Sequence, residues 1–282
     1  MIGQEHLLKI IDHQIQEGTF PRFSIITGLR GSGKKTLSQY IINSFPNEYC
    51  KYWLPDIKVE TIRKMISDSY KLTVDTIYVI PDADKMSVAA KNALLKVCEE
   101  PPNKAMFIMT VSDSNLVLDT IRSRASIYYM QPYTPKQITE YFNEVCGVKD
   151  IRKTNIVLDL CETPGDVLLL MDQGIEQLYD YVEKVVDNIA EVSEANAFKI
   201  DTKLSLKEGS DGYDVELFLR AFRSVCGKEM QKAATEGDKE ATNWYLEGIK
   251  AVNNSLSHLK IPGINKDALF TIFILNIREV WQ

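Results

Sequence analysis

The chain has 282 residues, of which 45% are hydrophobic and 26% charged, so the composition is that of an ordinary globular protein and the length favours two or three domains. A formal net charge of −6 argues against attraction of the whole molecule to nucleic acid. No apolar run reaches the roughly 18 residues that a membrane span needs, and the first six residues lack the basic start of a signal peptide. We therefore expect a cytoplasmic protein that does not enter a membrane.

The cysteine pattern excludes two further classes of protein. Five cysteines lie far apart in the sequence, and none forms a C-x-x-C pair. This spacing argues against a structural zinc site and against a disulfide framework. We expect most of the cysteines to be small buried hydrophobic residues.

The first half of the chain alternates apolar strands with helices. We predict an amphipathic helix over 1–20, strands at 23–27, 76–80, 106–111 and 127–130, and mostly helical segments at 37–76 and 87–100. Strands of this kind that alternate with helices are typical of a parallel sheet covered on both faces. The predicted fold class of this part is therefore α/β.

The second half of the chain has a helical pattern throughout. Thr134–Gln137 is a capping-box start with proline at the first helical position, and short helices fit 135–174. Another helix fits 175–192, and a surface turn is predicted at 208–212. Two apolar stripes at helical spacing follow, Val215, Phe218, Leu219, Phe222 and Cys226, and then Tyr245, Ile249, Val252, Leu256 and Leu259. The last helix, about 266–280, is apolar nearly all round, which predicts burial among other helices.

A glycine-rich loop, Gly28–Thr36, follows the first predicted strand and leads into a helix. Strand, loop and helix in this order are the context of a phosphate-binding loop, whose glycines (Gly28, Gly31 and Gly33) let successive N–H groups point at one anion. Lys34 would reach the terminal phosphates. The Ser or Thr that should follow it, and whose hydroxyl holds magnesium, is Lys35. Thr36 comes one residue late, about 100° further round the helix.

The acidic pair that usually accompanies such a loop is also altered. An Asp at the end of a later strand should orient magnesium, and a following Glu should activate water, but the two positions are Pro81 and Asp82. Proline has no side-chain donor or acceptor, and the cation of Lys35 would oppose magnesium. We therefore expect no efficient ATP hydrolysis by this chain and no required cofactor. Passive binding of ATP or ADP stays open, as does a loop kept for its backbone shape alone.

A longer motif identifies a family. The stretch 92–102, NALLKVCEEPP, with Ala83–Met86 before it, resembles the clamp-loader subgroup of AAA+ proteins. Further similarities are a sensor-1 strand at 107–113, an arginine-finger motif at 120–125 with Ala125 in place of cysteine, the family's opening at 1–4, and the end of its helical collar at 265–269. The resemblance is strong over 1–135 and weaker beyond. Within the family the chain is most similar to the bacterial delta-prime subunit of DNA polymerase III.

The resemblance implies an organisation and a set of roles. It implies an AAA+ P-loop domain at 1–133, a helical lid at 134–174 and a helical collar for oligomerisation at 175–282. In this family nucleotide lies at subunit interfaces, so Arg124 would reach the γ-phosphate held by a neighbour, and Ser112 would occupy the sensor-1 position. Gly165 stands where hydrolysing members have their sensor-2 arginine, and of the family's zinc-binding cysteines only Cys50 lies in the corresponding segment. The alternatives are a surface arginine paired with a carboxylate and a serine that forms a turn.

The predicted function is that of a non-hydrolysing, delta-prime-like clamp-loader subunit. Its partners would be other clamp-loader subunits and, through the complex, a sliding clamp and primer–template DNA. The alternative is an ATP-hydrolysing AAA+ motor, either of a clamp loader or of another DNA-linked P-loop ATPase. A scaffold that has lost the family function is a third possibility. The sequence leaves open the flanking subunits, direct DNA contacts, nucleotide binding and a cellular or viral origin.

Overall fold

A computed structural model describes residues 1–147, 150–171, 175–188, 214–259, 261 and 263–281. The chain divides into two compact units. The first comprises Met1–Gly147 and Glu162–Val167, and the second comprises the described residues of Val148–Cys161 and Leu168–Gln282. The division into three domains inferred from the resemblance stays a prediction.

The first unit is built on a five-stranded sheet. Its strands are β1 (Phe23–Thr27), β2 (Cys50–Trp53), β3 (Thr76–Ile80), β4 (Ala105–Val111) and β5 (Ser126–Tyr129). They lie in the order β2-β3-β4-β1-β5, and every pairing is parallel. Because the strands are parallel, their carboxyl ends meet at one edge of the sheet, where ligands of open α/β sheets bind. The predicted α/β fold class, a parallel-sheet domain followed by helical parts, is confirmed.

Helices cover both faces of this sheet. They are α1 (Glu5–Gln16), α2 (Lys34–Ser44), α3 (Val59–Ser69), α4 (Val88–Ala93), α5 (Leu95–Glu99), α6 (Asp119–Arg122) and α7 (Pro135–Val145). Successive side chains of a strand point to opposite faces, so Ile25 packs into one apolar cluster and Ile26 into the other. The capping box at the start of α7 is confirmed, because Thr134 and Gln137 each accept a hydrogen bond from the other's backbone N–H.

Three local predictions for this unit were wrong. Residues 37–76 are not mostly helical, because β2 lies between α2 and α3. β2 is a half-buried edge strand of only four residues, so it has no apolar run to mark it. The first helix ends at Gln16 rather than near residue 20, and Ile10 on its predicted buried face is 39% exposed. The helix over 87–100 is divided at Leu94 into α4 and α5.

The described chain beyond residue 147 contains helices and no strand. These are α8 (Ile151–Leu160), α9 (Pro164–Met171), α10 (Ile175–Asn188), α11 (Val215–Glu236), α12 (Lys239–His258) and α13 (Lys266–Val280). Within the part of the chain that the structure describes, no helix has both the length and the apolar character to cross a membrane. The turn predicted at 208–212 and the helix end at 189–192 lie outside the described residues.

The apolar stripes of these helices differ in burial. All five residues of the stripe on α11 are buried, as predicted. Of the stripe on α12 only Val252 is fully buried. The predicted burial of α13 holds for one side of the helix, where Phe270, Phe273, Ile274 and Ile277 are buried. It does not hold for Ile272 and Val280, which are 55% and 51% exposed.

Candidate functional site

The glycine-rich loop joins β1 to α2 at the carboxyl edge of the sheet. Gly31 and Gly33 have φ values of 78° and 91°, in the left-handed region that glycine adopts without steric cost. Gly33 is the N-cap of α2, so the first N–H groups of this helix have no acceptor within the helix. The two glycines thus let the loop turn tightly into α2, and its role in binding phosphate stays a prediction.

Lys34 is held by the loop's own backbone. Its Nζ atom donates hydrogen bonds to the carbonyl oxygens of Gly28 at 2.6 Å and Leu29 at 2.8 Å. Burial lowers the pKa of Lys34 below its ordinary value, although the carboxylates of Asp82 and Asp84 act in the opposite direction. The ammonium group predicted to reach phosphates therefore stabilises the loop that carries it.

The segment Glu162–Val167 of the same unit packs directly on the loop. The Thr163 hydroxyl donates to the Arg30 carbonyl at 3.1 Å, and the Gly165 N–H donates to the Gly31 carbonyl at 3.0 Å. A Cβ atom on Gly165 would lie 2.4 Å from the Cα atom of Gly31, which is closer than real Cβ contacts. The position that the resemblance assigns to a sensor-2 arginine is thus occupied by a glycine in close backbone contact with the loop.

Every carbonyl group from residue 28 to residue 32 has a donor. The last of them, on Ser32, accepts a hydrogen bond of 2.7 Å from the Tyr133 hydroxyl. The Ser32 hydroxyl itself is buried and has no hydrogen-bond partner among the described residues. Hydrogen-bond donors of the chain itself therefore hold the carbonyl groups of the loop in place.

A cleft of about 1060 Å³ adjoins the loop. Five of the predicted site residues line it, namely Gly31, Gly33, Lys34, Asp82 and Ser112. Gly28 is not among the described residues that line the cleft, but its carbonyl holds Lys34. Thr36 is exposed and is likewise absent from the described lining, in keeping with its position one residue late.

The acidic end of β3 has an unusual arrangement. Asp82 has a φ of 46°, its N–H donates to the Thr110 hydroxyl at 3.0 Å, and its carboxylate forms an exposed ion pair with Lys85 at 3.0 Å. Asp84 lies deeper in the cleft, where the Ser112 hydroxyl donates to its Oδ2 atom. Its Oδ1 atom is buried and has no hydrogen-bond partner among the described residues.

Sequence reasoning did not single out Asp84 as a site residue. The signal was present, because Asp84 follows β3 by only a few residues, at the edge where parallel strands place their ligand-binding groups. Asp84 also lies in the motif at 83–86, which indicated the family and not a role for the carboxylate of Asp84. The Ser112 hydroxyl is thus bonded to a carboxylate in the cleft, and its sensor-1 role stays a prediction.

The residues of the cleft do not fit a magnesium ion at the place that P-loop proteins use. Magnesium requires close oxygen ligands in near-octahedral geometry, and these proteins supply a hydroxyl after the loop lysine and a carboxylate at the strand end. Here the two positions are Lys35 and Pro81, and both line the cleft. An ammonium group and a proline ring offer the metal no oxygen ligand from a side chain.

Arg124 lies apart from these groups. It is absent from the described residues that line the cleft, and its side chain is 42% exposed. Its guanidinium donates to the Thr120 carbonyl at 2.9 Å and forms an ion pair with Glu99 at 3.1 Å. The surface ion pair considered as an alternative role is therefore present. A pair this exposed contributes about 1 kcal/mol or less, so the guanidinium can exchange Glu99 for another anion at little cost.

The backbone that carries Arg124 is anchored in the core. Arg124 lies two residues after the end of α6. Ile121 of this helix is fully buried, and its carbonyl oxygen accepts a hydrogen bond of 3.6 Å from the Cys98 thiol. Burial raises the pKa of Cys98 to about 11, so the thiol stays protonated. An exposed arginine on an anchored turn can be presented to another molecule in a defined place.

Comparison with protein families and sequences shows similarity between this chain and subunits of DNA polymerase III. A family model described as "DNA polymerase III, delta subunit" matches residues 51–134. The tau subunit of DNA polymerase III from Bacillus subtilis is 22% identical over 250 residues, which cover 76% of this chain and 44% of the relative. The tau/gamma subunit from Haemophilus influenzae is 23% identical over 259 residues, which cover 80% of this chain and 37% of the relative. The chain spans less than half the length of these relatives.

Solved structures share similarity over nearly the whole chain. A DNA polymerase III gamma subunit-related protein from Thermotoga maritima has a TM-score of 0.48 at 16% identity and covers 99% of this chain and 100% of its own. The RuvB Holliday junction branch migration motor of Thermotoga maritima has a TM-score of 0.48 at 16% identity and covers 98% of this chain and 88% of its own.

Proposed function

We propose that this chain is a non-hydrolysing, delta-prime-like clamp-loader subunit that offers Arg124 to nucleotide held by a neighbouring ATPase subunit. The similarity to DNA polymerase III subunits supports a place in that complex, and the matched family segment 51–134 contains Arg124. The observation that carries the proposal is a contrast between two sites. The chain's own cleft has Lys35 and Pro81 in place of magnesium ligands, whereas Arg124 is exposed and outside the cleft.

The proposed role of Arg124 is electrostatic. Phosphoryl transfer develops negative charge on the transferred group, and an arginine supplied by a second subunit stabilises that charge by a factor of about 10³–10⁵ in rate. Arg124 reaches such a group by exchanging its ion pair with Glu99 for the phosphate. This chain would then regulate hydrolysis that takes place on its neighbour.

The proposed assembly is a ring of AAA+ chains joined through their helical C-terminal parts. The partners are the other clamp-loader subunits, and the complex places a sliding clamp on primer–template DNA in the cytoplasm. Ile272 and Val280, exposed on α13 of this chain, are apolar side chains of the kind that subunit contacts bury.

The experiment that tests the proposal compares two neighbouring arginines in a reconstituted complex. Arg124→Ala should lower turnover at the adjacent ATPase site by about 1000-fold or more, the lower end of an arginine finger's contribution. Arg122→Ala is the matched control, because Arg122 is also part-exposed but is paired with Asp119 and Asn115. Gel filtration would establish that each variant still assembles.

Two outcomes would contradict the proposal. Unchanged DNA-stimulated ATPase activity in an assembled Arg124→Ala complex would exclude the arginine-finger role. ATP turnover by the isolated chain, abolished by Lys34→Ala, would instead support the ATP-hydrolysing motor.

A further inference from the structure

The two glutamates of the motif at 99–102 differ in what they contact. Glu99 is the last residue of α5, Glu100 follows it as the C-cap, and both are exposed. Among the described residues only Glu99 of these two has an ion-pair partner, because its Oε1 atom lies 3.1 Å from the Nη2 atom of Arg124. The motif thus brings one carboxylate to the arginine that we propose as the finger.

Buried neighbours set the distance between Glu99 and Arg124. Cys98 directly precedes Glu99 and is buried, and its thiol donates to the Ile121 carbonyl at 3.6 Å. The same carbonyl accepts a hydrogen bond of 3.1 Å from the N–H of Arg124. The carbonyl of one buried residue therefore joins the two segments that carry the opposite charges, so the two side chains extend from fixed places.

The guanidinium of Arg124 has acceptors on two sides, and only one of them is charged. Its Nη1 atom donates to the Thr120 carbonyl at 2.9 Å and lies 3.5 Å from the Ser123 hydroxyl, whereas Nη2 faces Glu99. The bond to Thr120 is local and involves no negative charge, so it can persist when Glu99 is replaced. Thr120 thus orients the guanidinium, and Glu99 neutralises the charge that would attract a phosphate.

We propose that Glu99 regulates the arginine finger by competing with the neighbour's phosphate for Arg124. This inference rests on the proposed function, since it requires Arg124 to act on nucleotide held by another subunit. While no phosphate is near, the carboxylate holds the guanidinium on the surface of its own chain. An arriving phosphate must displace the carboxylate and is repelled by its like charge. Glu99 therefore limits the action of Arg124 until nucleotide is in place.

The expected effect is modest, because the ion pair is exposed. The side chains of Arg124 and Glu99 are 42% and 50% exposed. Exposed pairs contribute up to about 1 kcal/mol, which corresponds to a factor of about five in an equilibrium constant. Removing the charge of Glu99 should therefore raise kcat/KM for ATP at the neighbouring site about two- to fivefold.

The test compares Glu99→Gln with Glu100→Gln in a reconstituted complex that contains the full chain. Glutamine removes the charge of Glu99 but keeps an oxygen that can accept a hydrogen bond from Arg124. Only Glu99→Gln should show the rise in kcat/KM. Glu100→Gln is the matched control, because it makes the same change of charge one residue away, at a side chain with no ion-pair partner among those described. Gel filtration establishes that each complex assembles.

Two further readouts link the rise to the arginine. In a complex that also carries Arg124→Ala, Glu99→Gln should leave the residual single-turnover rate unchanged, because there is no guanidinium to release. The ratio between Glu99→Gln and wild type should also fall toward one as the ionic strength is raised, since salt screens exposed charges. A merely structural role of Glu99 at the end of α5 would produce neither dependence.

The inference would be overturned by three results. The first is an assembled Glu99→Gln complex that turns over like wild type. The second is a lower turnover, because Glu99 would then align the arginine rather than withhold it. The third is an equal rise in Glu100→Gln or in the Arg124→Ala background, which would be a general effect of charge. If Arg124→Ala alone still causes its large loss, the proposed function survives each of these results, whereas no loss in Arg124→Ala would remove both.

Discussion

Gly165→Ala should destabilise the chain, although alanine is the better helix former. Gly165 lies in α9, and a Cβ atom there would be 2.4 Å from the Cα atom and 3.0 Å from the carbonyl oxygen of Gly31. Both neighbours are backbone atoms, so the contact cannot be relieved by rotation of a side chain. The segment must move away from the loop.

The size of the effect follows from the hydrogen bonds that such a movement breaks. Gly165 to Gly31 and Thr163 to Arg30 are bonds of 3.0 and 3.1 Å, and each contributes about 1 kcal/mol net. Acceptors left without donors add to this loss, and the higher helix propensity of alanine offsets up to about 1 kcal/mol. We expect a net loss of about 1–2 kcal/mol, which lowers the melting temperature by about 2–8 °C.

Thermal unfolding followed by circular dichroism measures this change, and a second glycine provides the control. Gly227 lies in α11, and a Cβ atom on it would meet nothing within 4 Å. Gly227→Ala should therefore show the propensity gain alone, about 0.5–1 kcal/mol of added stability. If Gly165→Ala were stabilised to the same extent, the close contact with the loop would be refuted.

Three further predictions concern other parts of the chain. Thr134→Ala removes half of the capping box of α7 and should cost about 1 kcal/mol in urea unfolding, whereas an unchanged midpoint would contradict the cap's role. Gly248→Ala places a Cβ atom 2.5 Å from the indole of Trp281. The indole must move away from the helix, so tryptophan emission should shift to the red, and a wild-type emission spectrum would argue against this packing. Burial raises the pKa of Cys98 to about 11, so native Cys98 should resist iodoacetamide near neutral pH, whereas half-buried Cys50 should react. Peptide mass mapping measures the labelling of each cysteine, and equal labelling of the two would refute this prediction.

The sequence identified elements whose signal is local. β1 and β3 were predicted at their observed bounds, because each is a run of five buried residues between turn-forming segments. The capping box of α7 could likewise be predicted, since Thr134, Pro135 and Gln137 act within one helical turn. The P-loop conformation belongs to the same class, because two glycines with positive φ are needed for it.

Elements defined by distant contacts could not be predicted in the same way. β2 is defined by the pairing of Cys50–Trp53 with β3, and none of its four residues is fully buried. The contact of Thr163 with Arg30 joins residues 133 positions apart, so nothing in either segment alone indicates it. The family resemblance assigned Gly165 only to the position of the sensor-2 arginine. Its close backbone contact with Gly31 of the loop is known from the structure alone.

The shape of the phosphate-binding loop and its affinity for phosphate are separate properties in this chain. Tyr133, Thr163 and Gly165 hold the carbonyl side of the loop, and none of them requires a ligand to do so. Lys34 belongs to the same set of donors, because it occupies the carbonyls of Gly28 and Leu29.

Moving Lys34 onto a phosphate therefore exchanges existing bonds for new ones. The two carbonyl bonds contribute about 1–3 kcal/mol together, so the ligand loses roughly 5–150-fold in affinity compared with a loop whose lysine is free. Lys35 has no such competing bonds among the described residues, and its Nζ atom lies 6.0 Å from the centroid of the Trp53 ring. An intact G-x4-G-K pattern can thus belong to a loop whose lysine is occupied by the loop's own carbonyl groups.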